Sequence, residues 1–162
     1  MTRSNDIVLN VEDLSVVLDP SGISIDDDVS LTIHEGEVLG LVGESASGKT
    51  TAATSLLAHQ RRGARIANGR VTIDGTDVLA ARPTGLRRIR GGLISYVPQD
   101  ASASLNPALR IGWQLMEILK AHDFGESQAG REARLVEMME EVLLPSDRAF
   151  LRRYPHQLSG GQ

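Results

Sequence analysis

The feature that most constrains this sequence is a glycine-rich loop placed between an apolar run and a helix-forming segment. Residues 38–42, Val-Leu-Gly-Leu-Val, form a continuous apolar run, which is typical of a strand covered on both faces in a parallel sheet. The loop that follows fits the pattern Gly-x-x-x-x-Gly-Lys-Thr. Residues 50–58 are small or compatible with a helix. The order strand, loop, helix predicts an α/β fold built around this loop.

The loop has the chemistry of a phosphate-binding site. Its backbone N–H groups and the start of the next helix can cradle an anion, and Gly48 lets the backbone approach a phosphate closely. Lys49 would reach the β and γ phosphates of a nucleotide, and the Thr50 hydroxyl would hold Mg²⁺ on the same phosphates. The alternative is a glycine-rich turn that binds nothing. The predicted cofactor-binding residues are Gly43, Glu44, Ser45, Ala46, Ser47, Gly48, Lys49, Thr50 and Thr51.

Composition argues against several other kinds of protein. The chain has 162 residues, 41% of them hydrophobic, which fits one folded domain and argues against disorder. A net charge of −4 argues against bulk electrostatic attachment to nucleic acid or to an anionic membrane surface. The absence of cysteine removes disulfides and thiolate sites and fits a reducing compartment. No apolar run is long enough to predict a membrane-spanning helix.

Hydrophobic periodicity separates a β-rich part of the chain from a helical part. Residues 7–18 predict two short strands, residues 93–97 predict a buried strand, and Asp74-Gly75 predicts a tight turn. After residue 105 the apolar residues recur at helical spacing, and Ser146-Asp147 is available to cap a third helix. The arginine-rich stretch between Arg61 and Arg90 is assigned no role, because charge runs are usually solvated surface.

A second motif decides among the protein classes with phosphate loops, which include kinases, GTPases and motor ATPases. The chain ends in Leu-Ser-Gly-Gly-Gln, where backbone N–H groups of the glycines are accessible to an anion. Leu-Ser-Gly-Gly-Gln is the signature motif of the ATP-binding subunits of ABC transporters, and the chain resembles these subunits. The resemblance implies that Ser159, Gly160, Gly161 and Gln162 contact the nucleotide of a second ATPase subunit in a head-to-tail dimer. The alternative is an ordinary glycine-rich turn.

A third stretch, Tyr-Val-Pro-Gln-Asp at residues 96–100, resembles the Q-loop of the same family. The resemblance implies that Gln99 touches Mg²⁺ or the attacking water and reports the state of the γ-phosphate to the helical part. The predicted catalytic residues are therefore Lys49 and Gln99, and the predicted metal-binding residues are Thr50 and Gln99. The implied cofactors are ATP and Mg²⁺.

The resemblance also predicts the fold class, domains and partners. The fold class is α/β, a P-loop NTPase of the ABC type with an N-terminal antiparallel β part and an α-helical subdomain. We expect a partial β-rich, P-loop nucleotide-binding core over residues 1–100, the helical subdomain over 101–157 and the start of the signature over 158–162. The expected partners are a second ATPase subunit, in a homo- or heterodimer, and membrane-spanning permease subunits, with no nucleic acid. The expected location is the cytoplasmic face of the cell membrane.

Finer resemblance points to one branch of the family. Ser-Leu-Asn-Pro at residues 104–107 and Tyr-Pro-His-Gln at residues 154–157 are similar to stretches of oligopeptide and dipeptide importer ATPases. The ATPases of nickel importers in the same branch share these two stretches. Import of peptides is therefore the leading prediction, with a soluble ABC ATPase of DNA repair or translation as an alternative.

Two features of the family are absent from the sequence. No Asp-Glu pair follows an apolar strand, although attack of water on the γ-phosphate needs a positioned base. We therefore expect a chain that is incomplete at its C-terminus and inactive alone, and a nucleotide-binding fragment without hydrolysis is the other alternative. No aromatic residue precedes residue 96, and Leu18 stands where relatives usually carry a ring that stacks on adenine. We expect weaker and less base-selective nucleotide binding.

Overall fold

The computed structural model describes residues 6–44, 47–100 and 102–162. These residues fall into two compact units that divide between Tyr96 and Val97, and each unit has its own apolar core. Two of the predicted phosphate-loop residues, Ser45 and Ala46, lie outside the described residues.

The first unit contains a four-stranded antiparallel sheet in the order β2-β1-β3-β4. The predicted turn at Asp74-Gly75 is confirmed, because both residues have positive φ angles and join β3 to β4. The antiparallel β part expected from the sequence is thus present. Its strands are β1 (Ile7–Leu18), β2 (Ser24–His34), β3 (Ala64–Ile73) and β4 (Thr76–Asp77).

β1 is one strand with a bulge, and the prediction of two short strands is wrong. Asp13 has a φ of 49°, and the pairing register with β3 shifts between Glu12 and Ser15. A Cβ added to Gly69 of β3 would lie 2.5 Å from the Cα of Leu14. Only glycine lets the two backbones come this close, so the bulge in β1 requires Gly69 on its neighbour.

The helices of the first unit are α1 (Lys49–Ser55) and α2 (Pro83–Gly92), and the second loses helical geometry at Arg90. The guanidinium of Arg90 donates hydrogen bonds to the carbonyl oxygens of Leu57 (2.8 Å) and Ala58 (3.0 Å), in the turn that follows α1. Cationic side chains commonly satisfy the free carbonyls at the end of a helix. The interpretation of the arginine-rich stretch as solvated surface is therefore wrong at Arg90.

Two apolar runs that the sequence predicts as buried strands are not strands. Residues 38–42 form no strand, and Val38 and Val42 are 95% and 97% exposed. In residues 93–97 the only pairing among the described residues is an isolated bridge between Arg90 and Ile94. A strand inside a parallel sheet needs a hydrogen-bonded neighbour on each side. The described part of the chain places no strand beside residues 38–42 and only that bridge beside residues 93–97, so most of their apolar side chains stay exposed.

The second unit is helical, as predicted. Its buried core residues, Leu119, Leu135, Met139 and Phe150, come from all three of its α-helices. Within the described ranges, no helix of either unit has the length and apolarity needed to cross a membrane. The helices of this unit are α3 (Ile111–Ala121), α4 (Gln128–Glu141) and α5 (Arg148–Leu151).

The predicted helix cap at Asp147 is confirmed. Its Oδ1 atom accepts hydrogen bonds from the backbone N–H groups of Ala149 (2.7 Å) and Phe150 (2.9 Å) at the start of α5. A Cβ added to Gly112 of α3 would lie 2.9 Å from the carbonyl oxygen of Leu151. Helices α3 and α5 therefore pack backbone to backbone at this point.

Candidate nucleotide site

The described part of the predicted phosphate loop is folded around the ammonium group of Lys49, the first residue of α1. Its Nζ donates hydrogen bonds to the carbonyl oxygens of Gly43 (2.8 Å) and Glu44 and to the Oγ of Ser47 (3.0 Å). An ammonium group has three N–H donors, so each has an acceptor within the loop. The positive charge that the sequence assigns to phosphate binding is thus held inside the loop.

Gly48 is the residue that lets the loop lie against the sheet. It has a φ of +85°, a left-handed conformation that side chains other than glycine rarely adopt. A Cβ added there would lie 2.2 Å from the Oδ1 of Asp26 and 3.1 Å from the carbonyl oxygen of Ile25, both in β2. Gly48 is therefore required for its backbone angle and for its contact with β2.

The hydroxyl-bearing residues that follow the loop differ in exposure. Thr50 is exposed, and Thr51 is half-buried within α1. A threonine oxygen is a hard ligand suited to Mg²⁺. In the described part of the chain, no group of three or more acidic or histidine side chains is placed to hold a metal ion. Binding of Mg²⁺ by the Thr50 hydroxyl stays a prediction.

Asp26 is a neighbour of the loop that sequence reasoning missed. Its Oδ2 atom is buried and has no hydrogen-bond partner in the part of the chain that the structure describes, and burial raises the pKa of the carboxyl group above its ordinary value. The residue belongs to the run of three aspartates at 26–28, a pattern typical of solvated surface. The one feature of the sequence that could have pointed to Asp26 is that this acidic run lies next to the alternating polar and apolar residues of a strand.

The predicted Q-loop residue Gln99 belongs to the second unit and is exposed. Downstream of it, the side chain of Gln114 in α3 holds the loop at residues 104–107. Gln114 Oε1 accepts from the N–H of Asn106 (2.8 Å), and Gln114 Nε2 donates to the carbonyl oxygens of Asn106 and Leu109 (both 3.0 Å). Sequence reasoning did not single out Gln114, whose role depends on the fold of the loop.

The signature residues at the end of the chain form a closed turn. The Oε1 of Gln162 accepts from the N–H of Ser159 (3.1 Å), and the N–H of Gln162 donates to the carbonyl oxygen of Ser159 (2.9 Å). A Cβ added to Gly160 or Gly161 would meet nothing within 4 Å. The backbone of these two glycines is therefore open to approach.

The predicted site residues are thus divided between the two units. The phosphate loop with Lys49 and Thr50 belongs to the first unit, whereas Gln99 and residues 159–162 belong to the second. Leu18, the position at which an adenine-stacking ring was expected, is the last residue of β1 and is partly exposed. Its effect on base selectivity stays a prediction.

Replacement of Gly48 by alanine should lower the free energy of unfolding more than the same change at Gly36. Both glycines have positive φ angles, but a Cβ at Gly36 meets nothing within 4 Å. The left-handed backbone should cost about 1 kcal/mol in each variant. The close approach of the new Cβ to the backbone carbonyl oxygen of Ile25, together with displacement of the Asp26 carboxyl group, should bring the cost at Gly48 to about 2 kcal/mol. Urea unfolding of both variants measures the difference, and equal costs would contradict the close contact between Gly48 and β2.

Comparisons with known proteins agree with these motifs. A protein of Brucella abortus (strain 2308), provisionally named a peptide import ATP-binding protein, is 42% identical over 160 residues, which cover 96% of this chain and 47% of that protein. The oligopeptide transport ATP-binding protein OppD of Escherichia coli (strain K12) is 38% identical over 163 residues, with 96% and 46% covered. The chain spans about half the length of the curated relatives that it matches.

A similar solved structure and a matching family model both indicate the same family. An ATP-binding cassette solved as a dimer in a post-hydrolysis state, bound to ADP and Pi, superimposes with a TM-score of 0.76 at 26% identity, covering 95% of this chain and 64% of the cassette. The family model for ABC transporters matches residues 27–162, from within β2 through the phosphate loop to the signature. On this match, and on the identity to its relatives, the chain belongs to the ABC transporter family.

Proposed function

We propose that residues 43–51 bind the β and γ phosphates of ATP, with Mg²⁺ held on the hydroxyl of Thr50. The observation that carries this proposal is the position of the Lys49 ammonium, whose three donors all face oxygen atoms of the loop. These acceptors are neutral. A phosphate oxygen is charged and forms roughly twofold stronger hydrogen bonds with an ammonium, so it can replace them.

Loss of the Lys49 ammonium should abolish most nucleotide binding. The chain has only one other lysine, Lys120, which pairs with Glu117 on the surface of α3. Lys120→Ala therefore removes the same charge from a place far along the sequence. We expect Lys49→Ala to weaken binding of Mg·ATP by roughly thirtyfold or more and Lys120→Ala by less than about twofold. Isothermal titration calorimetry measures both, and equal affinities would contradict the proposed role of Lys49.

We propose that the whole protein is the ATP-binding subunit of an ABC importer that couples ATP binding and hydrolysis to peptide uptake. Both relatives described above carry names that refer to peptide or oligopeptide transport. In this proposal the domains are the core over 1–100, the helical subdomain over 101–157 and the start of the signature over 158–162. Gln99 touches Mg²⁺ or the attacking water of the nucleotide bound to its own chain. Residues 159–162 act on the nucleotide of a second ATPase subunit in a head-to-tail dimer.

The proposed location is the cytoplasmic face of the membrane, against permease subunits. Affinity purification of the native gene product from its own cells tests this part. We expect co-purification of polypeptides with several apolar spans, each long enough to cross a bilayer. The Lys49→Ala variant serves as the matched control, because it should keep these partners while losing nucleotide. A native product that carries no membrane-spanning subunit would favour the class of ABC ATPases without a transport role.

A second candidate function is nucleotide binding without turnover. The observation in its favour is that no Asp-Glu pair follows an apolar strand in these 162 residues, so the chain offers no acidic group in the position where a base would orient water. In this proposal the phosphate loop still binds ATP, and hydrolysis requires residues outside this sequence.

The 162-residue chain should release phosphate from Mg·ATP at well below about 1 s⁻¹, the lower end of ordinary enzyme turnover. A continuous phosphate assay at saturating ATP measures this rate. Lys49→Ala is the control for contaminating ATPases, because an activity that survives this change does not come from the phosphate loop. Release at about 1 s⁻¹ or faster that disappears in Lys49→Ala would show that the chain hydrolyses ATP by itself.

A further inference from the structure

The carboxyl group of Asp26 occupies the space directly beside the phosphate loop. A Cβ added to Gly48 would lie 2.2 Å from Asp26 Oδ1 and 3.0 Å from its Cγ. The side chain therefore lies where a side chain of residue 48 would be, next to the backbone that leads into Lys49. Asp26 is held there by β2, whose register places it opposite Val16 of β1.

This carboxyl group is poorly compensated. Its Oδ2 atom is buried and finds no hydrogen-bond partner among the described residues, and burial raises the pKa of the group. Its neighbours on β2 differ, since Asp27 is exposed and Asp28 Oδ1 accepts from the hydroxyl of Ser15. A half-buried carboxylate with one uncompensated oxygen makes its surroundings unfavourable for a second anion.

We propose that the Asp26 carboxylate lowers the affinity of the phosphate loop for nucleotide phosphates by charge repulsion, and so sets how tightly this chain holds ATP and ADP. The inference rests on the proposed function, because it needs phosphate in the loop. Asp26 does not act on the reacting atoms. It acts through the electrostatic potential of the loop whose backbone it contacts.

The size of the effect follows from distance. A phosphate bound to backbone N–H groups of the loop lies about 3 Å from the nitrogen atoms, which places it roughly 6–8 Å from a carboxylate packed against Gly48. Coulomb repulsion at that separation, for effective dielectric constants of about 28 to 80, amounts to roughly a three- to thirtyfold loss of affinity per charge pair. Salt reduces the effect.

The surrounding charges leave this repulsion in place. Of the charged or titratable residues in β1, β2, the described loop residues and α1, only Lys49 carries a fixed positive charge, and its donors are engaged within the loop. His34 lies at the far end of β2 from Asp26. The other members of this set are acidic: Glu12, Asp13, Asp27, Asp28 and Glu44.

The test compares Asp26→Asn with Asp27→Asn. Each change removes one negative charge from β2, but Asp26 lies against Gly48 of the loop whereas Asp27 is exposed. Calorimetric titration with Mg·ATP and Mg·ADP at pH 8 and low salt should show binding roughly three- to thirtyfold tighter for Asp26→Asn and within about twofold of the wild type for Asp27→Asn. Asp26→Ser, a second uncharged variant, should change affinity in the same direction, which excludes an effect peculiar to the amide.

The pH dependence separates repulsion from a steric effect. Because burial raises the pKa of Asp26, the group becomes neutral at a higher pH than an ordinary aspartate as the pH falls. The ratio of wild-type to Asp26→Asn dissociation constants should therefore be largest at pH 8 and approach one as the pH is lowered. A ratio that does not change with pH would overturn the proposal.

The outcomes distinguish this proposal from the proposed function. If Lys49→Ala abolishes binding while Asp26→Asn binds no tighter than Asp27→Asn, the role of Asp26 is overturned and the phosphate site stands. If neither the wild type nor any variant binds nucleotide, the role of Asp26 and the proposed phosphate site are both overturned. If Asp26→Asn binds nucleotide detectably and the wild type does not, and if the double variant Asp26→Asn/Lys49→Ala loses this binding, both proposals are supported.

Discussion

Pairing of β1 along both of its edges is the interaction on which the first unit depends. β2 forms hydrogen bonds with one edge and β3 with the other, and buried side chains of β1 such as Val11 and Leu14 lie in the core. The register between β1 and β2 also determines where Asp26 lies. Because Gly48 packs against Asp26, the position of the phosphate loop depends on the pairing of a strand well before it in the sequence.

The loop is organised around charges that oppose each other. Lys49 brings an ammonium group whose hydrogen-bond partners are uncharged carbonyl and hydroxyl oxygens, and Asp26 places a carboxyl group beside Gly48. In the proposed function, an arriving phosphate replaces those uncharged acceptors with its own charge and at the same time approaches Asp26. We propose that the balance of these two interactions sets the affinity of the loop for nucleotide.

Sequence reasoning succeeded where the determinants are local. The turn at Asp74-Gly75 and the cap at Asp147 each depend on the preference of one or two residues for a backbone angle or a hydrogen bond. It failed for the apolar run at residues 38–42, because an apolar pattern reports the environment that a segment prefers and cannot supply the neighbouring strands. It also missed Arg90, since a charge run does not show which member meets the free carbonyls of a turn.

The sequence by itself determined the family and the positions of its motifs, because the phosphate loop and the signature are contiguous stretches whose chemistry depends on their own residues and spacing. Only the tertiary structure decided what surrounds the loop. Asp26 and Gly48 are brought into contact by strand register, and Gln114 meets Asn106 through the fold of a loop onto a helix. Such contacts depend on distances between segments far apart in the chain, and no local pattern of residue types encodes those distances.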